Sequence, residues 1–123
     1  MNEPLALLLC GRGLIATQLT QRLEALRYRL HVVGTPPEMV SAAHTEKAMI
    51  ILADVEGDPA AVVQALAQLR ADAGTTHIPV IAFAREMNDQ TQADLVARGA
   101  TMAVNEVAIL SHLAQLLERA LEI

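Results

Sequence analysis

The sequence has few aromatic residues and little positive charge. It contains no tryptophan, one tyrosine (Tyr28) and one phenylalanine (Phe83), and its formal net charge is -5. Surfaces that bind nucleic acid need clustered lysine and arginine side chains for the phosphates, and those that bind single strands also use aromatic rings for stacking. We therefore do not expect nucleic acid as a direct partner.

Cysteine and long apolar runs are also scarce. Cys10 is the only cysteine, so no disulfide can form within the chain, and its place at the end of an apolar run indicates a buried core residue. Although 53% of the residues are hydrophobic, no run approaches the roughly 18 residues that a membrane helix needs. No basic residue precedes the first apolar run, as one would in a secretory signal. We expect a cytoplasmic protein that does not enter a membrane.

Five short apolar runs alternate with segments of helical spacing. The runs have the length of buried strands and lie at residues 5–10, 30–33, 48–53, 78–84 and 101–104. Between the first two runs, Leu19, Leu23 and Leu26 recur at steps of four and three, which predicts a helix over about 14–28. Asp58 before a proline indicates the start of the third helix. Asp89 is predicted to cap the fourth helix, which should stop near Gly99.

This alternation predicts an α/β fold. Strands joined by helical crossovers form a parallel sheet covered on both faces, and strands buried on both faces are continuously apolar. We predict a three-layer α/β/α sandwich around a flavodoxin-like five-stranded parallel sheet of order 2-1-3-4-5. The length fits a single domain over residues 1–123.

Three further features carry a family resemblance. The third apolar run ends in Asp54, the fourth contains Pro79, and Gly99-Ala100 precedes the fifth. Together they resemble the receiver domain of two-component response regulators, the chemotaxis-regulator type. In that family the aspartate ending the third strand accepts a phosphoryl group, so the resemblance implies that Asp54 is the phosphoacceptor equivalent.

The same resemblance implies that the other functional positions are degenerate. Receivers bind Mg²⁺ through two acids at the end of the first strand, and the matching residues here are Leu9 and Cys10. The serine or threonine that contacts the phosphoryl group is replaced by Ala84, and the aromatic switch residue by Ala103. The lysine after the fifth strand matches Glu106, or the preceding asparagine if the register shifts by one.

Phosphoryl transfer needs a metal and cationic groups to neutralise developing charge, so an isolated aspartate should be a poor acceptor. The resemblance therefore implies a pseudo-receiver: a non-catalytic signalling module with no cofactor, which contacts a protein partner of a two-component or phosphorelay pathway. The alternative within this family is a response regulator that is still phosphorylated at Asp54.

Two acids follow Asp54 and raise the question of a metal. Glu56 and Asp58 could complete a makeshift carboxylate cluster, but a solvated loop with Asp58 as the helix cap is favoured. The four histidines lack the spacing of metal ligands, and no serine lies in a hydrolase motif. We expect neither a metal site nor an enzyme.

The turn after the first run offers a different function. Gly11, Arg12 and Gly13 begin a G-x-G-x-x-A pattern that is typical of dinucleotide-binding turns and of nucleotide-binding regulatory domains. No acid follows at residues 31–36, where one would hold the ribose. A nucleotide or small-anion site at this turn, with Arg12 and the helix N-terminus as donors, is the alternative function.

The last predicted helix, about 107–121, has an unusually wide apolar face. Its polar residues fall within about 120° of arc, which leaves more apolar surface than a helix packed on one side usually buries. Ile109, Leu116 and Ala120 lie toward the edge of that face and are predicted to contact another chain, as a homodimer or docking surface. Receivers often use this region for partners. The alternative is that the face only reflects an alanine- and leucine-rich composition.

Overall fold

Five parallel strands form the centre of the structure, a computed structural model that describes residues 3–122. The strands are β1 (Leu5–Leu9), β2 (Arg29–Val33), β3 (Ile50–Asp54), β4 (Val80–Ala84) and β5 (Met102–Asn105). Their order in the sheet is β2-β1-β3-β4-β5 and every neighbouring pair is parallel. The predicted fold class and strand order are confirmed.

Helices cover both faces of the sheet. They are α1 (Gly13–Ala25), α2 (Pro36–Glu46), α3 (Pro59–Ala71), α4 (Asp89–Ala97), α5 (Glu106–Ser111) and α6 (Leu113–Leu121). Buried side chains of α2, α3 and α4 form one hydrophobic core, and those of α1, α5 and α6 form the other. Across residues 3–122, each helix is too short or too polar to span a bilayer.

The first strand explains why the apolar runs are continuous. Leu5, Leu7 and Leu9 pack into the core under α2, α3 and α4, whereas Ala6 and Leu8 pack into the core on the opposite face. Successive side chains of a strand point to opposite faces, so a strand with a core on both sides has no position left for a polar residue.

The first helix ends earlier than the leucine spacing predicts. Arg27 takes a left-handed conformation (φ 72°), and the N–H of Tyr28 donates to the carbonyl of Leu23 at 3.0 Å. This closes the helix after Ala25, although an arginine stands where glycine usually does. Leu26 continues the leucine spacing beyond that end without being buried.

Two of the predicted helix starts have different outcomes. Asp58 caps α3 as predicted, and its Oδ1 accepts from the N–H of Ala61 at 3.1 Å. For α4 the prediction of Asp89 is wrong, because Asn88 is the cap and its Oδ1 accepts from the N–H of Thr91 at 2.8 Å. Asparagine and aspartate are equally good caps, so the sequence alone did not distinguish the neighbours.

The last predicted helix is two helices that meet at His112. Its backbone (φ -128°, ψ 29°) interrupts the helix, and α6 starts again at the next residue. A single helical wheel therefore does not describe residues 107–121. Ile109, Leu116 and Ala120, the predicted contact residues, all lie buried in the core formed with α1. This corrects their placement on an exposed contact surface.

Candidate functional site

Asp54 lies at the centre of the carboxyl-terminal edge of the sheet. It is the last residue of β3, the middle strand, and is only 6% exposed. Its Oδ1 accepts from the N–H of Glu56 at 3.0 Å, and its Oδ2 accepts from Arg12 Nε at 2.7 Å. A buried carboxylate must be paired and hydrogen-bonded to remain charged, and Asp54 is both.

Arg12 brings a cation to this carboxylate from the neighbouring strand. It follows β1 after two residues and is the N-cap residue of α1. While Nε contacts Asp54, Nη1 donates to Oε2 of Glu106 at 2.9 Å. The hydrogen bond with Asp54 is the main reason that the pKa of Arg12 is raised, with a further contribution from Glu106. One guanidinium thus bridges two carboxylates that come from opposite halves of the chain.

Glu106 reaches the site from β5. It is the first residue of α5, which begins at the carboxyl end of that strand, and its side chain is 29% exposed against 4% for Asp54. The bridge is therefore buried at Asp54 and open to water at Glu106. Screening by water weakens an ion pair, so the bond to Asp54 is the stronger of the two.

Leu9 and Cys10 lie beside Asp54 and are buried. Cys10 Sγ is 3.5 Å from Asp54 Oδ2, to which it donates. Burial is the main cause that raises the pKa of the thiol to about 11, and the neighbouring carboxylate raises it further. Neither side chain offers an oxygen, so the side chains of Leu9 and Cys10 present no ligand for a hard cation such as Mg²⁺.

The other two positions matched to receivers lie along β4 and β5. Ala84 is the last residue of β4 and pairs with Asn105 of β5. The preceding residue of β4 pairs with Asp54, so Ala84 lies one residue beyond Asp54 toward the carboxyl ends of the strands. Ala103 is an inner residue of β5 and packs in the core under α2, α3 and α4. Both have only a methyl group as side chain, so neither side chain can donate a hydrogen bond to a group held on Asp54.

The loop acids are turned toward backbone donors. Oε2 of Glu56 accepts from the N–H of Arg85 at 2.8 Å, and Asp58 caps α3. No group of three histidine, cysteine, aspartate or glutamate side chains within residues 3–122 is placed to share a metal ion. The makeshift cluster around Asp54 is therefore not assembled in these described residues.

The glycine turn adopts an ordinary conformation. Neither Gly11 nor Gly13 has a positive φ, and a Cβ added at either would meet nothing within 4 Å. Arg12, the one charged residue of the turn, already faces two carboxylates of its own chain. The turn therefore brings its cation to Asp54 and Glu106.

The pairing of Arg12 with Glu106 is the part of the site that sequence reasoning missed. The two residues are 94 positions apart, and no sequence pattern links them. The feature of the sequence that indicates this pairing is Glu106, an acid at the position where the resemblance implies a lysine. A carboxylate beside the buried Asp54 requires a compensating cation, and Arg12 is the basic residue next to the end of β1.

Comparison with solved structures identifies the fold. A response regulator from Thermotoga maritima has a TM-score of 0.84 at 12% identity, with 99% of this chain and 100% of that chain covered. A CheY-like receiver domain protein from Methanospirillum hungatei also scores 0.84, at 14% identity and coverage of 98% and 95%. A chemotaxis response regulator of Vibrio cholerae scores 0.80 at 16% identity, covering 97% and 99%.

These likenesses concern the fold, because the sequence identities are low. No protein-family model and no curated protein matches the sequence significantly. The chain has the receiver fold over nearly its whole length, and the predicted resemblance to receivers is confirmed at that level.

Proposed function

We propose that this chain, as one receiver-like domain, is a non-catalytic signalling module that acts through protein contact without Mg²⁺-dependent phosphorylation of Asp54. The observation that carries the proposal is the bridge from Arg12 to Asp54 and Glu106. Oδ2 of Asp54, an oxygen that would attack a phosphoryl donor, is held by Arg12 at 2.7 Å.

The residues around Asp54 support the same proposal. An incoming phosphoryl group brings negative charge, and Glu106 adds a like charge at the position where the resemblance implies a lysine. The side chains of Leu9 and Cys10 supply no oxygen ligand for Mg²⁺, and phosphoryl transfer depends on a metal and cations to neutralise the transition state. Arg12 cannot fill that role while it balances two carboxylates.

Intact-mass spectrometry after incubation with acetyl phosphate and Mg²⁺ tests the phosphorylation part. We expect no added phosphoryl mass at neutral pH. Asp54→Asn is the matched control, since it is nearly isosteric and cannot accept the group. A phosphorylated mass in the native chain that is absent from Asp54→Asn would establish the response-regulator alternative and overturn this proposal.

The face formed by α4, β5 and α5 is our proposed contact surface. Val96 of α4 is 47% exposed and Val107 of α5 is 71% exposed, and these helices flank β5, one of the two edge strands of the sheet. In this proposal Val96 and Val107 replace the contact residues that the sequence pattern predicts. Those residues are buried. A protein partner or a second copy bound at this face would remove both side chains from water.

Light scattering across micromolar concentrations tests the homodimer form of this contact. We expect a concentration-dependent dimer that Val107→Asp disrupts. Met49→Asp is the control, because Met49 is also an exposed apolar side chain, at 48%, but precedes β3, the middle strand, at the amino-terminal end of the sheet. A monomer at every concentration would eliminate the homodimer, and equal effects of the two variants would eliminate this face.

A nucleotide or small-anion site at Gly11, Arg12 and Gly13 has weaker support. An anion there would compete with two carboxylates already bound to Arg12, at 2.7 and 2.9 Å. Thermal-shift measurements with ATP and with inorganic phosphate test it, because a ligand that binds only the folded chain raises its melting temperature. We expect no shift with either.

A further inference from the structure

A cavity of about 670 Å³ opens beside Asp54, where β1, β2 and β3 end. Open α/β sheets bind ligands at the carboxyl ends of strands whose connections leave in opposite directions. That condition holds here, since the chain leaves β1 toward β2 and leaves the neighbouring β3 toward β4, in opposite directions along the sheet. The volume lies within the range of small-molecule sites.

Three glycines from three loops keep this cavity open. Gly11 follows β1, Gly34 follows β2 and Gly57 follows β3, and all three line the cavity. A Cβ added at any of them would meet nothing within 4 Å, and none has a positive φ. Neither packing nor backbone strain requires glycine at these positions. Their common effect is to leave the cavity free of side chains.

Two of the helix N-termini at the cavity, those of α2 and α3, have few free N–H donors. Pro36 and Pro37 begin α2 and Pro59 begins α3, and proline has no N–H. The next N–H groups are already used, that of Glu38 by Thr35 Oγ1 and that of Ala61 by Asp58. Helix N-termini bind phosphates through free N–H groups, which α2 and α3 lack in their first turns except at Ala60.

The charges at the cavity also disfavour an anion. Arg12, Asp54 and Asp58 are its charged lining residues, one cation and two carboxylates. Two nitrogens of this cation, Nε and Nη1, are already bound to Asp54 and Glu106, and only Nη2 has no partner among the described residues. The remainder of the lining is mainly apolar, with Leu9, two prolines, an alanine and Val62.

We propose that this cavity binds a small organic molecule with an apolar body and a neutral or singly positive polar end. The apolar body lies against Val62 and the prolines, and the polar end faces Asp58 and the paired Asp54. The prolines and the two carboxylates reject phosphates and other anions. This site is separate from the face of Val96 and Val107, and its occupancy does not depend on any partner there.

Four probes of related shape and different charge test the proposal by ¹H–¹⁵N NMR at neutral pH: benzylamine, benzyl alcohol, benzoate and inorganic phosphate. We expect benzylamine and benzyl alcohol to shift the amide signals of Gly11, Gly34 and Gly57, with benzylamine binding several-fold more tightly than benzoate. Phosphate should leave the three signals unchanged. Benzoate or phosphate binding as tightly as benzylamine, or no response to any probe, would overturn the proposal.

Gly34→Leu is the variant that fills the cavity, and Gly57→Leu is a second one in case the first does not fold. Both should abolish the response to benzylamine. Gly13→Leu is the matched control, because Gly13 also has open space around its added Cβ but does not line the cavity. A folded Gly34→Leu or Gly57→Leu protein that binds benzylamine like the native chain would refute the assignment of the cavity.

Discussion

Two arginines connect distant segments at opposite edges of the sheet. Arg12, at the carboxyl-terminal edge, binds the carboxylates of Asp54 and Glu106. Arg70, near the end of α3 at the other edge, binds only backbone carbonyls: Nε donates to Gly99 at 2.8 Å, and Nη1 donates to Thr76 at 2.7 Å and to Ile78 at 2.9 Å. The same side chain thus has charged partners at one edge and neutral ones at the other.

This difference separates a structural arginine from one in a candidate site. Burial lowers the pKa of Arg70, because neutral carbonyls do not repay the whole cost of removing its charge from water. The pKa of Arg12 is raised instead, chiefly by its hydrogen bond with Asp54. Arg70 fixes the two loops that lead into β4 and β5, whereas Arg12 balances acids whose own charge depends on pH.

Arg70→Met should have the largest effect. It removes the donor from three carbonyls at once, and we expect a loss of about 3 kcal/mol in the free energy of unfolding, from hydrogen bonds to a charged donor. Urea denaturation followed by circular dichroism measures it. Because the carbonyls do not titrate, the loss should be equal at pH 5 and pH 7. Arg70→Lys should lose less, and a loss below about 1 kcal/mol would contradict the structural role.

Arg12→Met should cost less, about 2 kcal/mol at neutral pH, because the pair it breaks is buried only at Asp54. Two carboxylates then face each other without a cation, so the folded variant takes up protons more readily than its unfolded chain. Its free energy of unfolding therefore falls as pH rises through the carboxyl range. The deficit against the native chain should shrink as the pH is lowered from 7 toward 5.

Glu106→Gln is the control for that measurement. It keeps the shape of the side chain and removes the more exposed of the two ion pairs, so we expect a loss of no more than about 1 kcal/mol. A deficit in Arg12→Met that is constant with pH would make Arg12 a structural residue like Arg70. That result would remove the contrast between the two edges.

The smallest effect concerns the reactivity of the Cys10 thiol. At neutral pH we expect this thiol to leave the free energy of unfolding unchanged. Burial, followed by the charge of Asp54, raises the pKa of its thiol to about 11. Iodoacetamide should therefore modify the folded chain very slowly at pH 8 and faster as pH approaches that value, since the thiolate is the nucleophile. Because folding raises this pKa, the free energy of unfolding should also fall as pH rises above about 9.

Asp54→Asn sharpens the Cys10 prediction. It removes one of the minor causes of the raised pKa, so the alkylation rate at pH 8 should rise modestly. The urea-unfolded chain provides the reference rate of a free thiol. A folded native chain that reacts as fast as the unfolded one would show that the thiol is neither buried nor held by the site.

The fold could be predicted because one physical pattern determines it. Runs such as Leu5–Leu9 must be apolar at every position when both faces of the sheet are covered. Helix ends depend on finer balances. The end of α1 depends on Arg27 entering a left-handed conformation, and the start of α4 depends on whether Asn88 or its neighbour makes the cap. Neither choice changes the hydrophobic pattern, so the pattern could not reveal it.

The candidate site was predictable only in part. The resemblance to receivers singles out Asp54, Leu9, Cys10 and Glu106, and the order of elements predicts that they lie together, because strand ends meet at one edge of a parallel sheet. Which side chain would turn inward could not be read from spacing. Arg12 could have extended into solvent to bind an external anion, and only the three-dimensional distances show that it contacts Asp54 and Glu106.

The bridge at Arg12 also limits how this chain can change by single substitutions. Glu106→Lys alone would place two cations around one buried carboxylate, and Cys10→Asp alone would place three carboxylates around one guanidinium. Either change disturbs the present set of one cation and two carboxylates and should destabilise the fold, although the two together would give equal numbers of each sign. A change from this set of charges to two cations and two carboxylates therefore passes through intermediates of low stability. The present arrangement of charges at Arg12, Asp54 and Glu106 is for that reason hard to alter by single substitutions.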